Sequence, residues 1–215
     1  MENHGILNST GDTSVVHNSR YGSAVYNGSS GTSTVSNLTS DNYSSKEART
    51  ITVTGGTIDL TGGTYNVRNS TLGRGILVES GTINSRGTTF NIHDNTDSQG
   101  IYVNNGTANI ESGSFTITGT NSYGAILSKG TLNLGVQGTP VSTTSPFISA
   151  VGTTKGIGIS MGLGYFNYYD GKVTANTRDM DENNLETSVE TNYQVVHYPA
   201  DIDNPYPYMI IESMY

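Results

Sequence analysis

Cysteine and tryptophan are absent from this 215-residue chain, and Lys plus Arg number only 10 against 18 Asp plus Glu. Without cysteine no disulfide closes the fold, an absence that fits a cytosolic protein and an exported one alike. The formal charge of -8 excludes nucleic acid and anionic membrane surfaces as partners, because polyanions are repelled. Apolar residues make up 33%, and no run reaches the roughly 18 needed to cross a bilayer. The opening residues MENHGILNST lack the basic and apolar regions of a secretory signal. These absences predict a thin core and no membrane insertion. The Thr/Asn/Gly-rich, Lys-poor composition further predicts a fragment of a larger exported polypeptide, extracellular or in a cell wall, with neighbouring domains outside this sequence.

Glycine is abundant, at 27 residues, and its spacing carries the fold. Gly56, Gly81 and Gly106 recur every 25 residues, each followed by threonine. In the same register recur Ile51, Ile76 and Ile101; Val53, Val78 and Val103; Val67, Ile92 and Ile117; the aromatics Tyr65, Phe90 and Phe115; and Asp59, Asn84 and Asn109. Within each copy, apolar and polar residues alternate in three short stretches between glycine or polar corners. Three short strands per repeat make one coil of a three-sided parallel β-helix, each strand pairing with its equivalent about 4.8 Å above and below. The apolar columns then stack into one rod buried by neighbouring coils, and the glycines take corners of positive φ. Asp59, Asn84 and Asn109, out of phase with Ile58 and Ile83, face outward.

The fold class is thus all-β, a β-solenoid with three strands and about 25 residues per coil. Residues 50–177 read as the regular β-helix and 1–49 as irregular N-terminal coils, with Pro140 and Pro146 interrupting the third strand of the fourth coil. Residues 178–215 read as an acidic, Tyr-rich C-terminal cap. They hold eight of the acidic residues and, past Arg178, no Lys or Arg. Val195-Val196 and Met209-Ile210-Ile211 are expected to form its apolar contacts as an antiparallel pair.

The units GILVESGTINSRGTTFNI and GIYVNNGTANIESGSFTI resemble right-handed parallel β-helix proteins of the pectate-lyase-like superfamily. More narrowly, they resemble the solenoid regions of large surface proteins from Gram-positive gut bacteria. The resemblance covers residues 50–175 and implies a right-handed parallel β-helix. It implies a choice of functions, since that fold hosts pectin lyases, polygalacturonases, phage tailspikes and adhesive stalks.

Asn95-Thr96-Asp97 matches the polygalacturonase Asn-Thr-Asp-Gly signature, except that Ser98-Gln99 intervene before Gly100. Inverting hydrolysis needs a second carboxylate beside the first, and the family's Asp-Asp, Gly-His-Gly and Arg-Ile-Lys elements are missing. Asp97 is therefore expected to be a polar corner residue. The pectate-lyase Arg-x-Pro-x-x-Arg is missing too, leaving Arg68, Arg74 and Arg86 as surface charges. No catalytic residue is assigned.

In DMDENNLETSVE, Asp179, Asp181, Asn183 and Glu190 fall at positions 1, 3, 5 and 12 of a calcium loop, making them a candidate calcium site. Asn184 stands at the usual glycine position and Glu186 at an apolar one, and the alternative is an acidic solvated linker. No other cofactor is implied. Tyr165, Tyr168 and Tyr169 are candidates for stacking on sugar rings, or alternatively for closing the end of the rod. The Thr57, Thr82 and Thr107 column raises a remoter ice-binding face, and His4, His17, His93 and His197 are placed at surface turns.

The function expected is a non-catalytic extracellular β-helix module of a bacterial surface protein. It would serve as a rigid spacer or adhesin, with a glycan or host surface protein as partner. The alternative is a carbohydrate-active enzyme, a polysaccharide lyase or hydrolase. Two acids and a base lining a groove on consecutive coils would favour the enzyme, and featureless faces the scaffold.

Overall fold

The computed structural model describes residues 2–3, 6–17, 21–28, 30–43, 46–138, 142–181, 187–189 and 192–214. Every regular element among them is a β-strand, and the chain winds into a parallel β-solenoid of about 6 turns with about 25 residues per turn. The repeat columns are the pairing register itself. Ile51, Ile76 and Ile101 are neighbours on the first face, Thr57, Thr82 and Thr107 on the second, and Tyr65, Phe90 and Phe115 on the third. The second face is a continuous eight-stranded sheet from Ile6–Thr10 to Thr187–Ser188.

Alternation turns one set of side chains from all three faces into a common core. Tyr65, Phe90 and Phe115 are fully buried and stack with centroids 4.6 Å apart, tilted by only 15° and 7°. Each buried ring contributes about 2 kcal/mol through the area it removes from water. Because every rung packs on the next, no coil owns its core alone.

The corner glycines answer to two different constraints. Gly81 has φ +83°, and a Cβ there would lie 2.6 Å from the Gly56 carbonyl oxygen. Gly106 does not have the positive φ expected of it. It is required by close approach, since a Cβ would lie 2.5 Å from the Gly81 carbonyl oxygen.

Regular pairing reaches further in both directions than the sequence pattern. Tyr21–Asn27, Thr32–Ser36 and Thr39–Tyr43 pair in parallel with the following coil throughout. The offset from Val25 to Ile51 is one residue longer than the repeat, whereas Thr32 to Thr57 and Thr39 to Thr64 keep it. Downstream, Arg178–Asp181 still pairs with residues 157–160 and Thr187–Ser188 with residues 166–167. The antiparallel pair forms as expected, Val195 opposite Ile211 and Val196 opposite Ile210. Its inner strand, Tyr208–Ser213, lies antiparallel on Lys172–Thr174. Met209 and Ile211 are buried there, closing the apolar column.

The corner expected at Asp97 lies three residues earlier. Asp94 takes φ 57° and the register shifts between Ile92 and Asn95, so the strand Thr88–Val103 turns there without glycine. Asp97 sits within that strand, paired with Leu72 and Asn121. Its Oδ1 accepts a hydrogen bond from Asn121 Nδ2 at 2.8 Å.

Candidate functional site

On the second face, Ile58 and Leu60 turn inward, so Thr57, Asp59 and Thr61 turn outward. Stacked coil on coil, this makes a column of Thr32, Thr57, Thr82, Thr107 and Thr131 that ends in Tyr165. Beside it runs a column of Asp59, Asn84, Asn109, Asn133 and Asn167. Its side chains form one hydrogen-bonded ladder. Asn84 donates to Asp59 at 2.6 Å, Asn109 to Asn84 at 2.7 Å, Asn133 to Asn109 at 2.6 Å and Asn167 to Asn133 at 2.6 Å. Five rungs span about 19 Å at the ordinary strand spacing.

The ladder floors a trough. Arg86 and Glu111 form part of its wall, the Arg86 Nε donating to Glu111 Oε2 at 2.6 Å. Val136, Gln137 and Tyr169 continue that wall, giving adjoining hollows of about 270 and 210 Å³ that share Asn84 and Glu111. Asn84, Asn109 and Asn133 each use one N–H and one oxygen lone pair within the ladder, and Asn167 one N–H, leaving the remaining donor and acceptor capacity toward the trough.

Of the three candidate tyrosines, the structure brings two to this face. Tyr165, 65% exposed, and the half-buried Tyr169 bracket Asn167. Tyr168 falls on the opposite phase and belongs to the core, so its expected role as a ligand contact is corrected. It is fully buried and stacked on Phe166 at 5.3 Å, with its hydroxyl 2.9 Å from the carbonyls of both Gly171 and Met209. Burial pushes its phenol well above the usual range.

Two other surfaces carry polar clusters. Where the third face turns into the first, Asp94, Thr96, Thr118, Thr120 and Thr153 surround a groove of about 660 Å³ floored by Gly119 and Gly152. Asn95 fills the equivalent position one coil earlier, where its amide accepts from the Ser70 N–H at 2.9 Å. Asp94, its carboxylate, is paired with His93 Nδ1 at 2.7 Å. On the first face, Glu47 lies 2.6 Å from Arg49 and 3.4 Å from Arg74, whose Nε donates to Gln99 at 2.7 Å. Arg74 is thus a partly buried group under Tyr102 rather than the free surface charge expected. Burial, followed by the neighbouring Arg49 charge, pulls its pKa below the usual arginine range.

The calcium constellation is only partly in view. Asp179 and Asp181 lie in a paired strand rather than a loop. Asp179 Oδ2 lies 2.8 Å from His197 Nδ1, and its Oδ1 accepts from the Met180 N–H. Asn183 and Glu190 lie outside the described residues. Among the described residues no group of three or more His, Cys, Asp and Glu is arranged to hold a metal ion. His93 and His197, expected at turns, lie in strands.

Asp59, Arg86 and Glu111 nevertheless put two acids and a base on consecutive coils of one trough. Both carboxylates are engaged by neighbours, Asp59 by Asn84 and Glu111 by Arg86. The sequence pattern missed the full trough because Asn133 and Asn167 follow their predecessors by 24 and 34 residues. A search for outward Asn at a variable interval would have found them. In comparisons with protein-family models, curated proteins and solved structures, nothing matches this chain.

Proposed function

We propose that this chain is a non-catalytic extracellular β-helix module of a bacterial surface protein, a rigid spacer whose second face binds a linear glycan. The pectate-lyase-like, Gram-positive resemblance of its repeats belongs to the same proposal. The observation that carries the reading is the amide ladder, whose last rung Asn167 is bracketed by Tyr165 and Tyr169. Planar amides offer donor and acceptor together, the pairing that sugar hydroxyls need. Tyrosine rings offer an apolar face for the C–H side of a pyranose, with the hydroxyl left in water. The rungs repeat about every 4.8 Å, and an extended, equatorially linked glycan advances by close to that distance per ring. With the chain at -8 and Asp59 and Glu111 at the trough, a neutral glycan suits the face better than an acidic one. A host surface protein would need broader contact than this narrow trough offers.

The test is an array of neutral linear oligosaccharides, probed with the wild type and with the double variant Tyr165→Ala/Tyr169→Ala. Binding lost in the variant at unchanged melting temperature supports the assignment. An array without any binder removes the adhesive role and leaves the spacer.

The Asp59, Arg86 and Glu111 cluster favours a second reading, a polysaccharide hydrolase or lyase. Hydrolysis would need one carboxyl to protonate the leaving oxygen and the other to activate water. Here both accept hydrogen bonds from side chains instead. New reducing ends or unsaturated products from a polysaccharide, abolished by Glu111→Gln, would establish the enzyme.

A further inference from the structure

The amide ladder has a direction, and one residue at its end sets it. An asparagine column could hydrogen-bond with all amides pointing up the solenoid or all pointing down, because each side chain carries both a donor and an acceptor. The two arrangements would leave the trough with opposite patterns of N–H and oxygen. Asp59 breaks the tie, since an ionised carboxylate can only accept. Asn84 must therefore present its N–H to Asp59, which leaves its oxygen toward Asn109, and the same choice passes rung by rung to Asn167. The first bond is charge-assisted and the stronger for it, and each amide polarises the next.

The third face supplies a contrast. Asp41 stands in register with Asn66 and Asn91, but its carboxylate is taken by the Arg68 guanidinium at 3.1 and 2.7 Å. Among the described residues that column holds one amide hydrogen bond, Asn91 donating to Asn66 at the longer distance of 3.0 Å, so a single pair in the same direction forms there rather than a ladder. On the second face Arg86 is drawn to Glu111 instead, so Asp59 is left to receive Asn84.

We infer that Asp59 is a positioning residue that fixes the polarity of the ladder and thereby the direction in which a linear glycan lies in the trough. The directional part rests on the glycan-binding role proposed above; the polarity of the ladder does not. A glycan chain has a reducing and a non-reducing end, and a unipolar array of donors and acceptors distinguishes its two orientations. The reducing end then always lies toward the same end of the solenoid.

The experiment has two parts. In the ligand-free protein, through-hydrogen-bond NMR couplings are measured from the side-chain nitrogens of Asn84, Asn109, Asn133 and Asn167 to the acceptor carbon of the preceding rung. They are compared in the wild type, in the isosteric Asp59→Asn, and in Asp59→Asn/Asn167→Asp, which moves the carboxylate to the opposite end. The wild type is expected to show all four couplings in one direction, Asp59→Asn to lose the single direction, and the double variant to reverse it. Retention of the wild-type direction by the couplings from Asn84, Asn109 and Asn133 in either variant overturns the role of Asp59 while leaving glycan binding intact.

In the second part, cellohexaose and xylohexaose spin-labelled at the reducing end are added. Broadening confined to one end of the trough in the wild type, moving to the other end in the double variant, supports the assignment. Equal broadening at both ends in the wild type overturns the directional claim. Couplings as expected with no broadening from either sugar would defeat the glycan-binding role, and the directional claim with it.

Discussion

Asn133 and Asn167 are 34 residues apart in the chain, yet the amide of one donates to the other at 2.6 Å. The preceding rung, Asn109 to Asn133, spans only 24 residues and closes at the same 2.6 Å. Coil length therefore varies while strand register does not. Part of the excess leaves the solenoid wall after Leu134, where Val136 and Gln137 become wall of the trough. An insertion that would disrupt a globular core is absorbed here as a surface loop.

Breaking the ladder in the middle tests whether it also supports the fold. Asn109→Asp sets a second acceptor against the Asn84 oxygen and removes that donor. Stability is expected to fall by about 1 kcal/mol, read as a lower urea midpoint with an unchanged slope.

Two core tyrosines predict opposite responses to the same change. The Tyr65 hydroxyl is buried and has no hydrogen-bond partner among the described residues, whereas that of Tyr168 meets two carbonyls. Tyr65→Phe is expected to leave stability unchanged or raise it by up to about 1 kcal/mol, and Tyr168→Phe to lower it by about 1 kcal/mol. Paired thermal melts decide the sign of each.

For the exposed Tyr165 the expectation is reversed, with binding affected and folding not. Tyr165→Ala alone should weaken a bound oligosaccharide roughly fivefold, about 1 kcal/mol of stacking. Titration calorimetry measures that loss, while the melting temperature, set by the core, stays in place.

Acid should loosen the cap turn only below the usual aspartate range. The Asn204 backbone N–H, helped by the Asn204 side chain and the Asp203 N–H, holds the Asp201 carboxyl below the usual aspartate range. A folded-state pKa below the unfolded one gives stabilisation that is complete above the ordinary range and is lost as pH falls through the lowered value. Amide shifts of Asp203 and Asn204 should therefore titrate together at a pH below the usual aspartate midpoint, and Asp201→Asn should abolish the step.

The fold was legible because parallel stacking turns a sequence period into a spatial column. Ile51, Ile76 and Ile101 could be aligned on paper before they were seen to touch. Phase was harder to read than period. In YFNYYD aromatics occupy both parities, so nothing local tells that Tyr165 and Tyr169 point out while Tyr168 points in. Asp97 was misplaced for a related reason. Its coil turns at Asp94, a non-glycine residue of positive φ, and within the polar run HDNTDSQ nothing local marks which residue takes the corner. The trough needed a further step, since Thr61, Arg86 and Glu111 keep the 25-residue spacing but change residue type from coil to coil, so their column does not show as a repeat.

The antiparallel strand Tyr208–Ser213 on Lys172–Thr174 has a consequence for growth of the rod. Parallel and antiparallel ladders space their hydrogen bonds differently. At this end the third face presents the outer edge of a reversed hairpin, Tyr193–Tyr198, in place of the parallel edge that another coil would match. A second copy meeting the rod here finds one of its three sides out of phase, which discourages fibre formation through this end.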